Sequence, residues 1–141
     1  LHEVWRDRAA AYLGITVPGF PNFFMLYGPN TNLGHNSIVY MLESQIAHVM
    51  RIVRALRERN ASRVEIDAVH FDAFNENIRR RLARTVWNGC ASWYLDANGN
   101  NTTNWPGFTL SYGWLTRHAG LGAYRFLSAA PGIRGSAHAD D

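Results

Sequence analysis

The sequence predicts an α+β chain built from a short strand, two long helices and an aromatic-rich hairpin and loop segment. Three observations carry that reading. The run Asn22 to Tyr27 is almost continuously apolar and stops at Gly28-Pro29-Asn30, as a strand buried on both faces does where its loop begins. Two stretches, starting near Ser37 and Asp67, repeat apolar residues at helical intervals,. Beyond Trp87 the pattern changes to Trp, Tyr, Asn and Gly, the composition of turns and short hairpins. At 141 residues the chain is the size of one domain,.

In chain order, Leu1 to Tyr12 is short and amphipathic, and Pro18, Gly19 and Pro21 punctuate an ordered connection from Gly14 to Pro21,. The predicted strand Asn22–Tyr27 follows, then the uncharged loop from Gly28. Val39, Leu42, Ile46, Val49, Val53 and Leu56 recur at intervals of three and four and place an apolar stripe on a helix running to about Asn60, with Asn36 or Ser37 as its N-cap,. Val64-Glu65-Ile66 reads as a brief strand. Asp67 caps a second helix, whose inward positions are Phe71, Phe74, Ile78, Leu82 and Val86,. Asn98-Gly99 signals a type I′ hairpin between Ser92–Leu95 and Asn100–Asn104,. Trp105-Pro106-Gly107 closes it, before an extended segment from Phe108 to Leu115 and a mobile polar tail from Pro131 to Asp141,.

Composition removes several classes of function. The net charge of +3 comes from 14 arginines without a lysine. They cluster at Arg51, Arg54, Arg57, Arg59 and Arg63, and at Arg79, Arg80, Arg81 and Arg84, where helical spacing puts them on solvated faces without interleaved aromatics,. No nucleic-acid role is expected. Neither is a membrane role, since no apolar run is long enough to span a bilayer. The one cysteine, Cys90, rules out an internal disulfide and a cysteine-rich zinc site,, and no His, Cys or carboxylate cluster has metal-ligand spacing. No secretory pattern stands at Leu1, and the chain begins without Met, so the expectation is a cytoplasmic and truncated protein. Neither a G-x-G-x-x-G turn after a strand nor a phosphate-binding G-x-x-x-x-G-K-[ST] occurs,.

The stretch FPNFFMLYGPNTNLGHNSIVYMLESQ, from Phe20 to Gln45, holds the chemistry. A loop at the carboxyl end of a strand faces ligands in open α/β sheets, and the helix after it presents unpaired N–H groups with partial positive charge. On the residues alone, a plain turn at Gly28-Pro29-Asn30 and a cap at Asn36 are the favoured reading. His35 has a pKa near neutrality, suited to proton transfer or to lining a pocket, though most loop histidines do neither. Trp87, Trp93 and Trp105 read as core packing ahead of a substrate-facing shell.

Gly19-Phe20-Pro21-Asn22-Phe23-Phe24, Gly28-Pro29-Asn30, Asn36-Ser37, Glu43-Ser44-Gln45, Trp87-Asn88-Gly89-Cys90, Ser92-Trp93-Tyr94 and Trp105-Pro106-Gly107 occur in this order. Together, from about Tyr12 to Arg117, they resemble the C-terminal part of flavin-dependent Baeyer–Villiger-type monooxygenases. The resemblance implies a fragment from the FAD-domain end of a flavoprotein with two dinucleotide-binding domains. Residues 1–60 would be the last strand and helix of the FAD domain, 61–127 the C-terminal helix and aromatic hairpin region, and 128–141 a mobile tail. It further implies a parent that uses FAD and NADPH to insert oxygen next to a ketone carbonyl; N- or S-oxygenation by a related flavin enzyme, or a non-catalytic remnant acting in self-association, are the alternatives.

Under the same resemblance Gly28, Pro29, Asn30, Gly34, Asn36, Ser37 and Ile38 would face the flavin. Leu33, His35, Trp93 and Trp105 would line the substrate pocket, with no catalytic residue in this chain. The partners would be the remaining FAD and NADPH domains and a small ketone. The 141-residue chain alone is expected to bind neither cofactor and to be inactive, and the unpaired edge of the Asn22–Tyr27 strand predicts a homo-oligomer,.

Overall fold

A computed structural model describes residues 1–33, 37–85 and 94–128. Helix α1 spans Ile38–Glu58, strand β1 Arg63–Ile66, helix α2 Ala68–Leu82, helix α3 Thr109–His118 and strand β2 Tyr124–Leu127. A single 3₁₀ turn, Leu121–Ala123, leads into β2. The strands form one antiparallel pair in which Val64 faces Phe126 and Ile66 faces Tyr124. The α+β class holds, with a smaller sheet and one more helix than the sequence predicts.

The two predicted helices and the strand between them are present. Asp67 caps α2 as expected, its carboxylate accepting the Val69 N–H at 2.9 Å, and that bond holds the acid below its ordinary pKa,. The inward positions Ile78 and Leu82 are buried, and Phe71 and Phe74 half-buried; Val86 lies outside the described residues. The stripe on α1 is rotated from the predicted one. Its buried positions are Met41, Gln45, His48, Ile52 and Ala55, whereas Val39 is 57% and Ile46 46% exposed. The two stripes are equally regular, and the buried one passes through polar residues that find partners inside.

The short N-terminal stretch before Tyr12 forms turns and bends. Two other expectations are corrected, one covering Phe23 and Leu26 and one the segment after Trp105. Asn22–Tyr27 is not a strand: Asn22 and Tyr27 take positive φ of 60° and 59°, and Met25 N–H donates to Ile15 in a local loop contact at 2.8 Å. Asn22 serves instead as a clip beside β1, donating from its backbone to Val64 and accepting the Val64 N–H through its side chain. The strand-edge argument for association therefore lapses. Phe108–Leu115 is not extended either, because most of it lies in α3. Its Gly113 gives the reason: a Cβ there would stand 2.3 Å from the Tyr40 hydroxyl, so α3 packs on α1 through backbone, a gain local propensity does not register.

The core has three adjoining parts. Met41, Ile78, Leu82, Trp105 and Tyr112 pack under the first half of α1, and Ile52, Val64, Ile66, Ala123 and Tyr124 under the second. Leu13 and Ile15 of the N-terminal segment complete it with Ala119 at the end of α3. Through this core run the partners of the α1 polar residues. Gln45 accepts the Tyr27 N–H at 2.9 Å and donates to the Tyr112 hydroxyl at 3.0 Å, and that hydroxyl donates to the Leu13 carbonyl at 2.6 Å. His48 lies 3.0 Å from the Thr116 carbonyl through Nδ1 and 3.0 Å from the Tyr124 hydroxyl through Nε2. A carbonyl only accepts, so Nδ1 carries the proton and Nε2 accepts from Tyr124. Arg51 donates to the carbonyls of Thr116, Arg117 and Ala119 and so caps the C-terminus of α3,.

Two expected outcomes follow from these contacts. Arg51→Ala leaves three carbonyls at the end of α3 without their cation; we expect it to lower stability by about 2–3 kcal/mol in urea unfolding, and Arg51→Lys to recover only part. Burial lowers the His48 pKa from 6.5 to about 4, against the opposing Thr116 bond and aided by Arg51. Because the folded pKa is the depressed one, the unfolded chain takes up the proton first. The contribution is complete above about pH 6.5 and falls away as pH drops toward about 4,. Between pH 7 and 4.5 it amounts to a loss on the order of 2–3 kcal/mol, which His48→Gln should remove from the slope of the urea midpoint against pH.

Candidate functional site

The predicted loop is built on a crossing of two glycines. Gly14 has φ +67°, and a Cβ on Gly28 would stand 2.3 Å from the Gly14 carbonyl oxygen. No side chain fits between the two segments. Thr31 closes the turn after the crossing by donating its hydroxyl to the Gly28 carbonyl at 2.6 Å. The close approach at Gly28 is made by this chain's own backbone.

From Asn30 onward the loop is fastened to the segment after the hairpin. Asn30, at φ 58°, donates from its backbone to Thr102, and from its side-chain amide to the carbonyls of Asn101 and Asn104 at 2.9 and 3.1 Å. Asn32 pairs with Asn104 as a parallel bridge, Asn32 N–H meeting Thr103 and Trp105 N–H meeting Asn32, each at 2.9 Å. The hairpin that brings residues 101–105 here turns at Asp96–Gly99, where only Gly99 is at positive φ among the turn residues. Gly99 N–H donates to Asp96 at 3.0 Å. The turn is therefore of type I followed by a left-handed glycine, correcting the predicted type I′.

Gly28 and Pro29 line a cavity of about 390 Å³ together with Trp5, Leu26, Tyr27 and Thr103. Leu26 and Tyr27 stand half exposed at its edge. Ser37 is the N-cap of α1, exposed, and its hydroxyl makes no capping bond; the first turn carries no acidic residue. The first N–H groups of α1 are consequently left to a group from outside the helix. Leu33 and Ile38 pack against the core beside Met41 and Tyr112. Trp105 is in that core, 4% exposed, edge-on to Tyr112 at 5.0 Å and donating its indole N–H to Phe108 at 3.3 Å. Gly34, His35, Asn36 and Trp93 lie outside the described residues, as do Trp87 and the tail from Pro131.

The sequence reading missed the residues that position this loop. Gln45 holds the Tyr27 amide at the mouth of the cavity, and its signal was present: Met41, Gln45, His48, Ile52 and Ala55 repeat at four and three, with two polar residues in a stripe that is otherwise apolar. Among the described residues no group of three or more His, Cys, Asp or Glu is placed to hold a metal ion, and no helix is long and apolar enough to cross a membrane.

No protein-family model matches the chain. Individual proteins do. Over 131 residues it is 46% identical to a Baeyer–Villiger monooxygenase of Pseudomonas aeruginosa, covering 91% of this chain and 25% of that protein. Over 145 residues it is 42% identical to a Baeyer–Villiger monooxygenase of Streptomyces coelicolor, covering 99% of this chain and 28% of that one. In structure it matches an oxidized steroid monooxygenase bound to NADP with TM-score 0.79 and 26% identity, over 91% of this chain and 25% of that chain. A complex of OTEMO with FAD and NADP shares the fold at TM-score 0.72 and 19% identity, over 89% of this chain and 25% of that one. The chain thus spans about a quarter of the length of the relatives it matches.

The glycine crossing gives a test of what shapes the loop. Gly28→Ala drives a methyl into a backbone carbonyl, and Gly14→Ala adds left-handed strain to a clash with Thr31. Each is expected to destabilise the chain by about 1–3 kcal/mol in thermal or urea unfolding, whereas Gly19→Ala, with open space at its Cβ, should cost about 1 kcal/mol through its φ alone.

Proposed function

We propose, from a chain whose sequence is that of a Baeyer–Villiger monooxygenase segment, that it forms the flavin-side wall of an FAD- and NADPH-dependent enzyme that oxygenates a ketone. The observation that carries this reading is the 46% identity over 131 residues to a protein of that name. The loop fits the role. Gly28 and Pro29 stand at an open cavity, and the uncapped start of α1 at Ser37 and Ile38 is free of acidic side chains, as a site beside a cofactor that gathers negative charge on reduction requires. Helix N–H groups there would favour the reduced ring by roughly 0.3–2 kcal/mol.

Bound FAD would supply the redox chemistry through which NADPH electrons and oxygen reach the ketone. The protein's part is to hold and shape. Gly34, Asn36, Ser37 and Ile38 would meet the flavin edge, with Gly28 and Pro29 behind them. Asn30 has its amide committed to Asn101 and Asn104, so its part is to fix the loop that carries the others. Leu33 would support the substrate pocket from the core, with His35 and Trp93 as its walls and Trp105 anchoring the segment after the hairpin. The adenosine and pyrophosphate would be held by the remaining FAD domain, and NADPH by its own domain. Exposed Val39, Ile46 and Leu26, each 46–57% accessible, support packing against further protein.

A chimera tests the reading. Replacing the matching segment of the Pseudomonas aeruginosa relative with this chain should give a yellow protein with stoichiometric FAD that oxidises NADPH when a ketone is added. Gly34→Val in that chimera should lower flavin content, while the isolated 141-residue chain stays colourless in FAD. A folded chimera without flavin, or a Gly34→Val chimera with unchanged flavin and turnover, would refute the assignment.

A further inference from the structure

A second cavity, of about 530 Å³, lies between α1 and α3 and shares no lining residue with the one beside Gly28. Its size is that of a small-molecule site, typically about 300–1,000 Å³. Its walls are of two kinds. Ala47 and Met50 of α1 and Gly113 of α3 give small and apolar surface, next to Tyr40, whose ring lies so close to the α3 backbone that no Cβ fits at Gly113. Arg51, Arg54 and Arg117 supply three guanidinium groups at the other end.

The three cations have different duties. Arg51 is taken up by the carbonyls of Thr116, Arg117 and Ala119, which cancels the partial negative charge at the α3 C-terminus. Arg54 and Arg117 are exposed and have no carboxylate partner: the ion pairs among the described residues involve His70, Arg79, Arg80 and Arg125 instead. Glu43 also lines the cavity, but eleven residues before Arg54 on the same helix, about 16 Å away along the axis. Glu58, one turn beyond Arg54, forms no ion pair with it. The groove therefore has a positive end, an apolar middle and a negative far end, and guanidinium is the group best shaped to receive an oxyanion.

We propose that this groove binds an amphipathic oxyanion, with a phosphate or carboxylate head between Arg54 and Arg117 and an apolar body along Met50, Ala47 and Tyr40. Glu43 excludes a second negative charge at the far end, so the ligand carries its charge at one end only. The inference stands on this chain alone and does not depend on the flavin reading.

Hexyl phosphate, titrated into the full chain and followed by amide NMR, tests it. Shifts should concentrate in Ala47–Arg54 and Gly113–Arg117. Affinity should fall about tenfold or more in R54Q/R117Q, which alters only exposed side chains, and stay unchanged in R80Q/R84Q, which removes equal charge from α2 and the turn that follows it. Inorganic phosphate should bind about tenfold more weakly than hexyl phosphate. Equal weakening in both double variants would reduce the effect to net charge and overturn the proposal. So would shifts centred elsewhere, equal affinity for inorganic phosphate, or no saturation.

Discussion

The fold depends on one constraint: helix α1 turns two polar side chains into the interior, and each must be paired there. Gln45 and His48 are 0% and 1% exposed, and a buried amide or imidazole without partners costs about 1–3 kcal/mol. Their partners lie far off in sequence, on Tyr27, Tyr112, Thr116 and Tyr124. Satisfying them therefore fixes α3, β2 and the N-terminal loop relative to α1 at once. Arg51 extends the same edge by one turn and holds the end of α3. An apolar stripe alone would permit α1 to slide or rotate on its neighbours; directional bonds to three separate segments leave one arrangement.

The loop that carries the candidate site inherits its shape from this edge. Tyr27 is tied to Gln45, Gly28 crosses Gly14 too closely for a side chain, and Asn30 and Asn32 are bound to residues 101–105. From Tyr27 to Asn32 its backbone is thus set by contacts internal to the chain. Preorganisation of that kind spares the ordering cost a flexible loop would incur on binding. It also divides labour along the loop: Asn30 and Thr31 spend their polar groups holding the turn, whereas Ser37 and the first turn of α1 keep theirs available.

The surface is consistent with a chain that covers a quarter of its relatives. Phe108, Leu110 and Trp114 are 74%, 73% and 64% exposed around a helix whose inner face packs on α1 through Gly113. Val39 and Ile46 mark a second apolar side of α1, the one the sequence pattern selected as the core. Both stripes on α1 are real features of the helix, and only the rest of the molecule determines which is inside.

What the sequence determined by itself is what local chemistry controls. The two helices and β1 follow from periodicity over one or two turns, and the Asp67 cap from a side chain reaching its own helix. The family was legible because several short turn-rich motifs occur in order. Tertiary structure decided everything set by partners distant in the chain. It chose the buried face of α1, since Gln45 and His48 look wrong for a core until Tyr112 and Tyr124 arrive. It made α3 of a segment rich in Tyr, Trp and Gly, since the gain from laying Gly113 on Tyr40 lies outside the segment. It turned Asn22–Tyr27 from a strand into a clipped loop, since a strand exists only beside another, and among the described residues β1 pairs with β2. At the candidate site the sequence located Gly28 and Ser37, and the fold disclosed that the first serves a backbone crossing and the second an open helix end.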